Sequence, residues 1–447
     1  MTHPEYRRLQ RVVVDGLFRT YDHEIELNLA DRVTLLHGPN GVGKTSILGM
    51  TNALMMDRLD YFRRIPFSRF LLEFHDGSTL ELASGDTTND TDIKYKLTLN
   101  TGDRSRSASV ALPPEAGAGN SIVEHQHPSR GISEILIDEH DDAALTAAQG
   151  LPRHWDAIFA RAGIPDTKGN HPGWLSNFLE SANAHLIEAQ RLVRTDGGTR
   201  VRPMIRPMDG SPPMVSAVAE CSTDFQRRLD DTMVRYGRKS QLLDQSFPER
   251  LISATDQLTS AELQNKMSAL DQKTAALTTI GILDETPTHP SPETGLEGLD
   301  DTRLRVMTLY VLDTEKKLSA FDDLARRAET LLENVNRKYR HKSIRLDREH
   351  GLIAVSDSGQ QLPLASLSSG EQHELVLHYD LLFRVPPNTV VLIDEPELSL
   401  HVAWQKRFLP ELLEIVKLSD LDALVATHSP FIVGDRSDLM VGLGDPA

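Results

Sequence analysis

Apolar and polar residues alternate from Arg8 to Asn28, first through Val12-Val13-Val14-Asp15-Gly16-Leu17-Phe18 and then through His23-Glu24-Ile25-Glu26-Leu27-Asn28. That period of two predicts a pair of antiparallel strands. Val33-Thr34-Leu35-Leu36 reads as a short buried strand, followed by a glycine-rich loop and a helix beginning near Lys44. Strand-like alternation returns at Phe70–Glu73, Thr79–Leu82 and Ile93–Leu99, whereas the polar, small-residue stretch from Gly102 to Thr146 predicts long loops. Ala184 to Leu192 reads as a core strand running into a turn.

The period then changes. Met214 to Leu277 is helical in pattern and poor in aromatics, and Pro287, Pro290, Pro292, Gly295 and Gly298 mark a break. Beyond it Leu304, Met307, Val311, Thr314, Leu318, Phe321, Ala325, Ala328, Leu332, Val335 and Tyr339 recur at spacings of three and four. Such a seam predicts one helix of about 55 Å, paired with the preceding helices as a short coiled-coil arm. After Arg345 come two short strands, a helix at Ser368, a buried strand over Thr389–Ile393, a helix over 402–416 and a last core strand over Ala423–Ala426. Buried strands alternating with helices predict an α/β sheet. The expected division is a head formed by 1–212 and 342–447, with 213–341 inserted as the helical arm.

Composition narrows the setting. The 447 residues are 39% hydrophobic and 25% charged, and the sequence has no run of the ~20 apolar residues that spans a bilayer. The single cysteine, Cys221, excludes an intrachain disulfide and a cysteine zinc site. With no signal-peptide pattern at the start, these features lead us to expect a cytoplasmic protein without a membrane partner. A net charge of −17 argues against broad non-specific nucleic-acid binding. Two local basic clusters stand out, Arg191 to Arg206 and Arg337 to Arg348. Each reads either as solvated surface paired with acids or as a phosphate-backbone track.

The chemistry lies in short motifs. Gly38-Pro39-Asn40-Gly41-Val42-Gly43-Lys44-Thr45, followed by Ser46, fits G-x-x-x-x-G-K-S/T between a predicted strand and helix. Its glycines let backbone amides face phosphates, Lys44 reaches the β- and γ-phosphates, and Thr45 is placed for Mg²⁺. Val390-Val391-Leu392-Ile393-Asp394-Glu395-Pro396 is an apolar strand ending in two acids. Asp394 is expected on the metal and Glu395 as general base on the attacking water. Leu367-Ser368-Ser369-Gly370-Glu371 opens a helix 24 residues before Asp394 and presents hydroxyls and free amides to an anion, although an ordinary helix cap is the plainer reading.

Taken together the sequence resembles an ABC-type ATPase head of the RecF/SMC/OLD kind. The resemblance makes Ser368, Ser369, Gly370 and Glu371 the signature, with Ser369 where that group has glycine. It makes Glu397-Leu398-Ser399-Leu400-His401 the dimer-contact loop and His428, in Ala426-Thr427-His428-Ser429-Pro430, the switch histidine. Gln190 is the expected Q-loop glutamine that touches Mg²⁺ and the water. The implied cofactors are ATP and Mg²⁺, and the implied assembly is a homodimer or higher homo-oligomer closing around nucleotide.

Within that class a transporter subunit fits poorly, because Lys44 and Ser368 lie 324 positions apart with a helical arm between them. A long-armed chromosome organiser needs far more arm. With 17 residues after Pro430 in this sequence, we expect no nuclease domain of the kind OLD proteins carry. The motif set looks most like stand-alone ATPases of bacterial phage-defence modules of the Septu, PARIS or retron-associated type, which work with a separately encoded nuclease. Two alternatives stay open: a RecF-like repair ATPase clamping DNA, with DNA or RNA as ligand, and a non-hydrolysing scaffold that uses ATP only to dimerise.

Overall fold

The computed structural model describes residues 6–85, 93–102, 104–112, 172–187, 193–195, 214–253, 257–284 and 300–444. A five-stranded sheet in the order β16-β3-β15-β14-β8 divides these residues into two cores. Its strands are β3 (Val33–His37), β8 (Asn183–Ile187), β14 (Thr389–Asp394), β15 (Leu421–Ala426) and β16 (Met440–Gly442), and every pairing is parallel. A parallel sheet covered on both faces needs strands that are apolar throughout, which is why these segments read as continuous hydrophobic runs. Val33, Leu35, Val391, Ile393, Ala423 and Val425 enter one core. Leu36, Val390, Leu392, Leu424 and Ala426 enter the other.

The second core is closed by α1 (Lys44–Met55) and by an antiparallel sheet in the order β2-β1-β4-β5-β6-β7. β1 (Leu9–Leu17), β2 (Tyr21–Glu26), β4 (Arg69–Phe74), β5 (Thr79–Ser84) and β6 (Ile93–Thr101) fall where alternation predicts them. β7 (Arg104–Leu112) corrects the loop expectation for that stretch. Its first four residues, Arg104-Ser105-Arg106-Ser107, carry no apolar alternation, so the pattern hides it. The ladder with β6, in register from Ile93↔Leu112 to Thr101↔Arg104, holds it as a strand.

The first core carries the helical insertion. Its helices are α3 (Ala217–Ser253), α4 (Ser260–Thr279), α5 (Asp301–Leu318) and α6 (Asp322–Asn336); a short α2 (Gly173–Leu179) precedes them. The expected single helix from Leu304 to Tyr339 is corrected here, because a 3₁₀ turn at Ser319–Phe321 separates α5 from α6. The apolar seam continues across that turn for a different reason on each side. Phe321, Ala325, Ala328, Val335 and Tyr339 are buried in the head core, while Leu304, Met307 and Thr314 are only partly covered. The long helix is instead α3, whose 37 residues span about 55 Å. Arg250–Asp313, Lys266–Glu315 and Lys317–Asp244 tie the outer parts of α3, α4 and α5 together.

A hairpin of β11 (Lys342–Asp347) and β12 (Gly351–Ser356) leads to α7 (Ser369–Tyr379), and α8 (Val402–Ser419) lies between β14 and β15. In the basic cluster near it, Arg337, Lys338, Lys342 and Arg348 all face carboxylates, which favours the ion-pair reading. Arg191, Arg200, Arg202 and Arg206 lie outside the described residues.

Candidate functional site

Because the central strands are parallel, their carboxyl ends leave the sheet along one edge, where open α/β folds bind ligands. β3 delivers the loop from Gly38 to Gly43, β14 delivers Asp394 and Glu395, and β15 delivers Thr427 and His428. The switch strand β15 lies between the other two, so three segments far apart in sequence meet at one place. β8 ends at Ile187, three positions before Gln190, and Gln190 itself lies outside the described residues.

The loop is shaped for backbone amides to face inward. Gly41 and Gly43 have φ of 84° and 103°, and a Cβ on Gly43 would sit 2.4 Å from Leu17 Cδ2. Only glycine meets both conditions at Gly43. No side chain caps α1, so the amides of Lys44, Thr45 and Ser46 at its start remain open to an anion. The buried Lys44 ammonium donates to Gly38 O at 2.7 Å and Pro39 O at 2.9 Å, and lies 3.5 Å from His428 Nδ1. Burial lowers the Lys44 pKa, and the carboxylates of Glu395, Asp394 and Glu397 work against that shift. His23 on β2 reaches Val42 O from behind at 2.9 Å and steadies the loop.

Opposite the loop, Thr45 Oγ1 donates to Asp394 Oδ1 at 3.0 Å. These are two hard oxygen donors of the kind Mg²⁺ takes. Glu395 adopts a left-handed backbone with φ of 41°, rare for a residue with a side chain and typical of strained functional turns. Its amide donates to Ala426 O at 2.9 Å, and its carboxylate lies 3.7 Å from His428 Nε2. A lysine, two carboxylates and a histidine thus face one uncapped helix start. The arrangement suits a phosphate chain with a divalent cation.

Two features exceed what the motifs predict. Glu397 accepts from Thr427, His428 and Ser429, and Gln405 accepts from Ser429 Oγ at 2.7 Å. Sequence reading places Glu397 in a contact loop only, since its partners lie about thirty positions away. A buried cluster of Glu374, His378 and Glu411 has the composition of a metal site. Its cation is already present, however: the Lys338 ammonium reaches both carboxylates, and His378 Nε2 lies 3.2 Å from Glu411 Oε2. Burial works against the Glu411 carboxylate, but His378 and Lys338 hold it below the usual range.

The signature residues stand apart. Ser368 caps α7 in a reciprocal box with Glu371, and Lys342 adds an ion pair to Glu371 at 3.0 Å. Ser368 and Ser369 are exposed. Among the described residues no hydrogen bond or ion pair joins 368–371 to the loop from Gly38 to Ser46. One copy therefore brings together Lys44, Thr45, Asp394, Glu395 and His428, but not Ser368, Ser369, Gly370 or Glu371.

Comparison with known proteins agrees in kind. Residues 277–434 match the family described as AAA domain, putative AbiEii toxin, Type IV TA system. The chain is 33% identical over 99 residues to the "Retron Ec83 probable ATPase" of Escherichia coli, a match spanning 20% of this chain and 18% of that protein. Its overall arrangement is distantly similar to the Smc head domain from Pyrococcus furiosus solved with an extended coiled coil and the C-terminal domain of ScpA, at 12% identity and a TM-score of 0.34 over 98% of this chain and 94% of that one. The SMC head domain from Thermotoga maritima gives 12% identity and a TM-score of 0.31 over 97% and 94%. The family match over residues 277–434 and the site's own geometry support a P-loop ATPase domain of the AAA kind.

Proposed function

We propose that this ABC-type ATPase binds ATP with Mg²⁺ at the carboxyl edge of the parallel sheet and hydrolyses it. The observation that carries this reading is the convergence there of Lys44, Thr45, Asp394, Glu395 and His428. Lys44 and the open amides of α1 hold the phosphates. Thr45 and Asp394, with Gln190, which follows β8 in sequence, would hold Mg²⁺, which when bound would neutralise phosphate charge. Glu395 takes the proton of the attacking water, and His428 orients on the γ-phosphate.

The signature residues Ser368, Ser369, Gly370 and Glu371 act across a dimer, which accounts for the exposure of Ser368 and Ser369 and for the lack of any hydrogen bond or ion pair, among the described residues, to the loop of their own copy. The head comprises 1–212 and 342–447. The 213–341 insertion is an arm whose last helix returns into the head core. The local similarity to a retron's probable ATPase supports a retron-type role, in which we place this chain as the controller of a separately encoded nuclease in antiphage defence. Direct clamping of DNA has less support, because Arg337, Lys338, Lys342 and Arg348 are already paired with carboxylates.

The test is Glu395→Gln. It should bind ATP and Mg²⁺ nearly as the parent does, hydrolyse about 10²–10⁴-fold more slowly, and accumulate as an ATP-bound dimer. Unchanged turnover removes Glu395 from its role, and absence of an ATP-dependent dimer in parent and variant alike removes the head-to-head assembly.

A further inference from the structure

We propose that Glu397 is a positioning residue that fixes the switch histidine, a role that rests on the ATPase reading above. Its Oε1 accepts the backbone amide of His428 at 2.6 Å and that of Ser429 at 3.1 Å. The Thr427 hydroxyl lies 3.0 Å from each of its oxygens. Two successive amides and a hydroxyl around one carboxylate form the concave donor set by which backbone holds an anion, here supplied by the protein itself. The surrounding bonds close the frame. Ser429 Oγ donates to Gln405 Oε1 at 2.7 Å, and Gln405 Nε2 donates to Leu400 O at 3.1 Å. In the other direction the Glu395 amide donates to Ala426 O.

The consequence is geometric. β14 and β15 end side by side, and backbone pairing carries each one residue further, the Thr427 amide donating to Leu36 O and the Glu395 amide to Ala426 O, leaving His428 itself to be set by side-chain ties. Glu397 ties the segment bearing the base, Glu395, to the segment bearing His428. His428 is thereby set with Nδ1 3.5 Å from Lys44 Nζ and Nε2 3.7 Å from Glu395 Oε1. With its oxygens occupied in this way, Glu397 is not a second base. It acts through His428.

The experiment compares Glu397→Ala, Glu397→Gln, His428→Ala and the double variant Glu397→Ala/His428→Ala. Glu397→Ala should lower kcat by about 10²-fold, the usual cost of misplacing a catalytic group, with ATP affinity changed less than about threefold. Glu397→Gln keeps an oxygen that accepts the two amides, and should retain at least about a tenth of the parent kcat. Adding Glu397→Ala to His428→Ala should cost less than about threefold more, because groups acting as one unit are not additive. Losses that multiply overturn the proposal. Hydrogen exchange of the peptide covering 427–431 provides a readout independent of turnover. It should speed up in Glu397→Ala and stay slow in Glu397→Gln. Unchanged exchange in Glu397→Ala overturns the positioning role even if the parent proves inactive, whereas an inactive parent with the expected exchange pattern overturns only the hydrolysis reading.

Discussion

Lys338→Met removes the cation from the most deeply buried charge cluster among the described residues. The side chains of Lys338, Glu374 and Glu411 are 2%, 1% and 6% exposed, and the ammonium bridges the two carboxylates. Glu374 Oε2 and Glu411 Oε1 have no hydrogen-bond partner among the described residues, so the ammonium is their main compensation. Methionine fills a similar volume and leaves two buried carboxylates with only His378 to balance them. Breaking a buried pair by removing one partner costs about 3–5 kcal/mol, and this cluster sits at the upper end because one cation serves two anions. Denaturant unfolding followed by tryptophan fluorescence would report the loss, since Trp404 packs against this core. The sign with pH is fixed. His378 and Lys338 hold the Glu411 carboxylate below the usual range, so the stability Lys338 confers through it is present above the unfolded ~4.3 and is lost as pH falls through the lowered folded value. The loss should be larger at about pH 7.5 than at about pH 3.5, and adding Glu374→Gln and Glu411→Gln should restore much of it. A loss under about 1 kcal/mol at pH 7.5, or one indifferent to pH, refutes the reasoning.

Two further outcomes follow from the same geometry. Lys44→Ala and Ser368→Arg should each abolish turnover alone, yet mixing them should restore some, because a mixed dimer rebuilds one intact site; tagged heterodimers that form with ATP and hydrolyse none would contradict sites shared between subunits. Burial opposes the Glu371 carboxylate, but the Ser368 amide and hydroxyl and the Lys342 ammonium hold its pKa below the usual range, so its contribution is present above ~4.3 and lost as pH falls through its folded value. The melting-temperature gap between parent and Glu371→Gln should therefore narrow between about pH 5 and pH 3, and a gap that widens there would contradict the assignment.

Much of the site is legible because its parts are local. Gly43 needs left-handed backbone beside Leu17, Lys44 and Thr45 open a helix, and Asp394 ends an apolar strand; each leaves a mark within a few residues. Strand β7 is not legible, because Arg104-Ser105-Arg106-Ser107 is held by cross-strand pairing and not by its own alternation. The seam from Leu304 to Tyr339 misleads for the opposite reason. A helix against a head core and a helix against arm partners bury the same three-and-four spacing, so periodicity carries through the turn at Ser319–Phe321 without a mark. Glu397 is hidden by distance, its partners being 30–32 positions away. Lys338 looks like one more member of a surface cluster until α6, α7 and α8 close around it.

The two cores say which parts of the molecule are mechanically close. α1 packs with the antiparallel sheet on one face of the parallel sheet. The root of the arm packs on the other, with Val218, Cys221 and Phe225 of α3 in one cluster with Leu375 and Tyr379 of α7. Polar ties reinforce that side. Tyr379 Oη donates to Asp224 at 2.8 Å, Arg384 lies 3.7 Å from Glu220, and Lys338 holds Glu374. Every one of these joins the arm's root to the helix that Ser368 caps or to its continuation. Close-packed interiors yield little under load. A displacement at the root of the arm therefore meets the Ser368 helix directly, whereas Lys44 is reached only across the sheet. The helices from Ala217 to Asn336 lie in sequence between β8 and Ser368, and their root shares one core with the Ser368 helix.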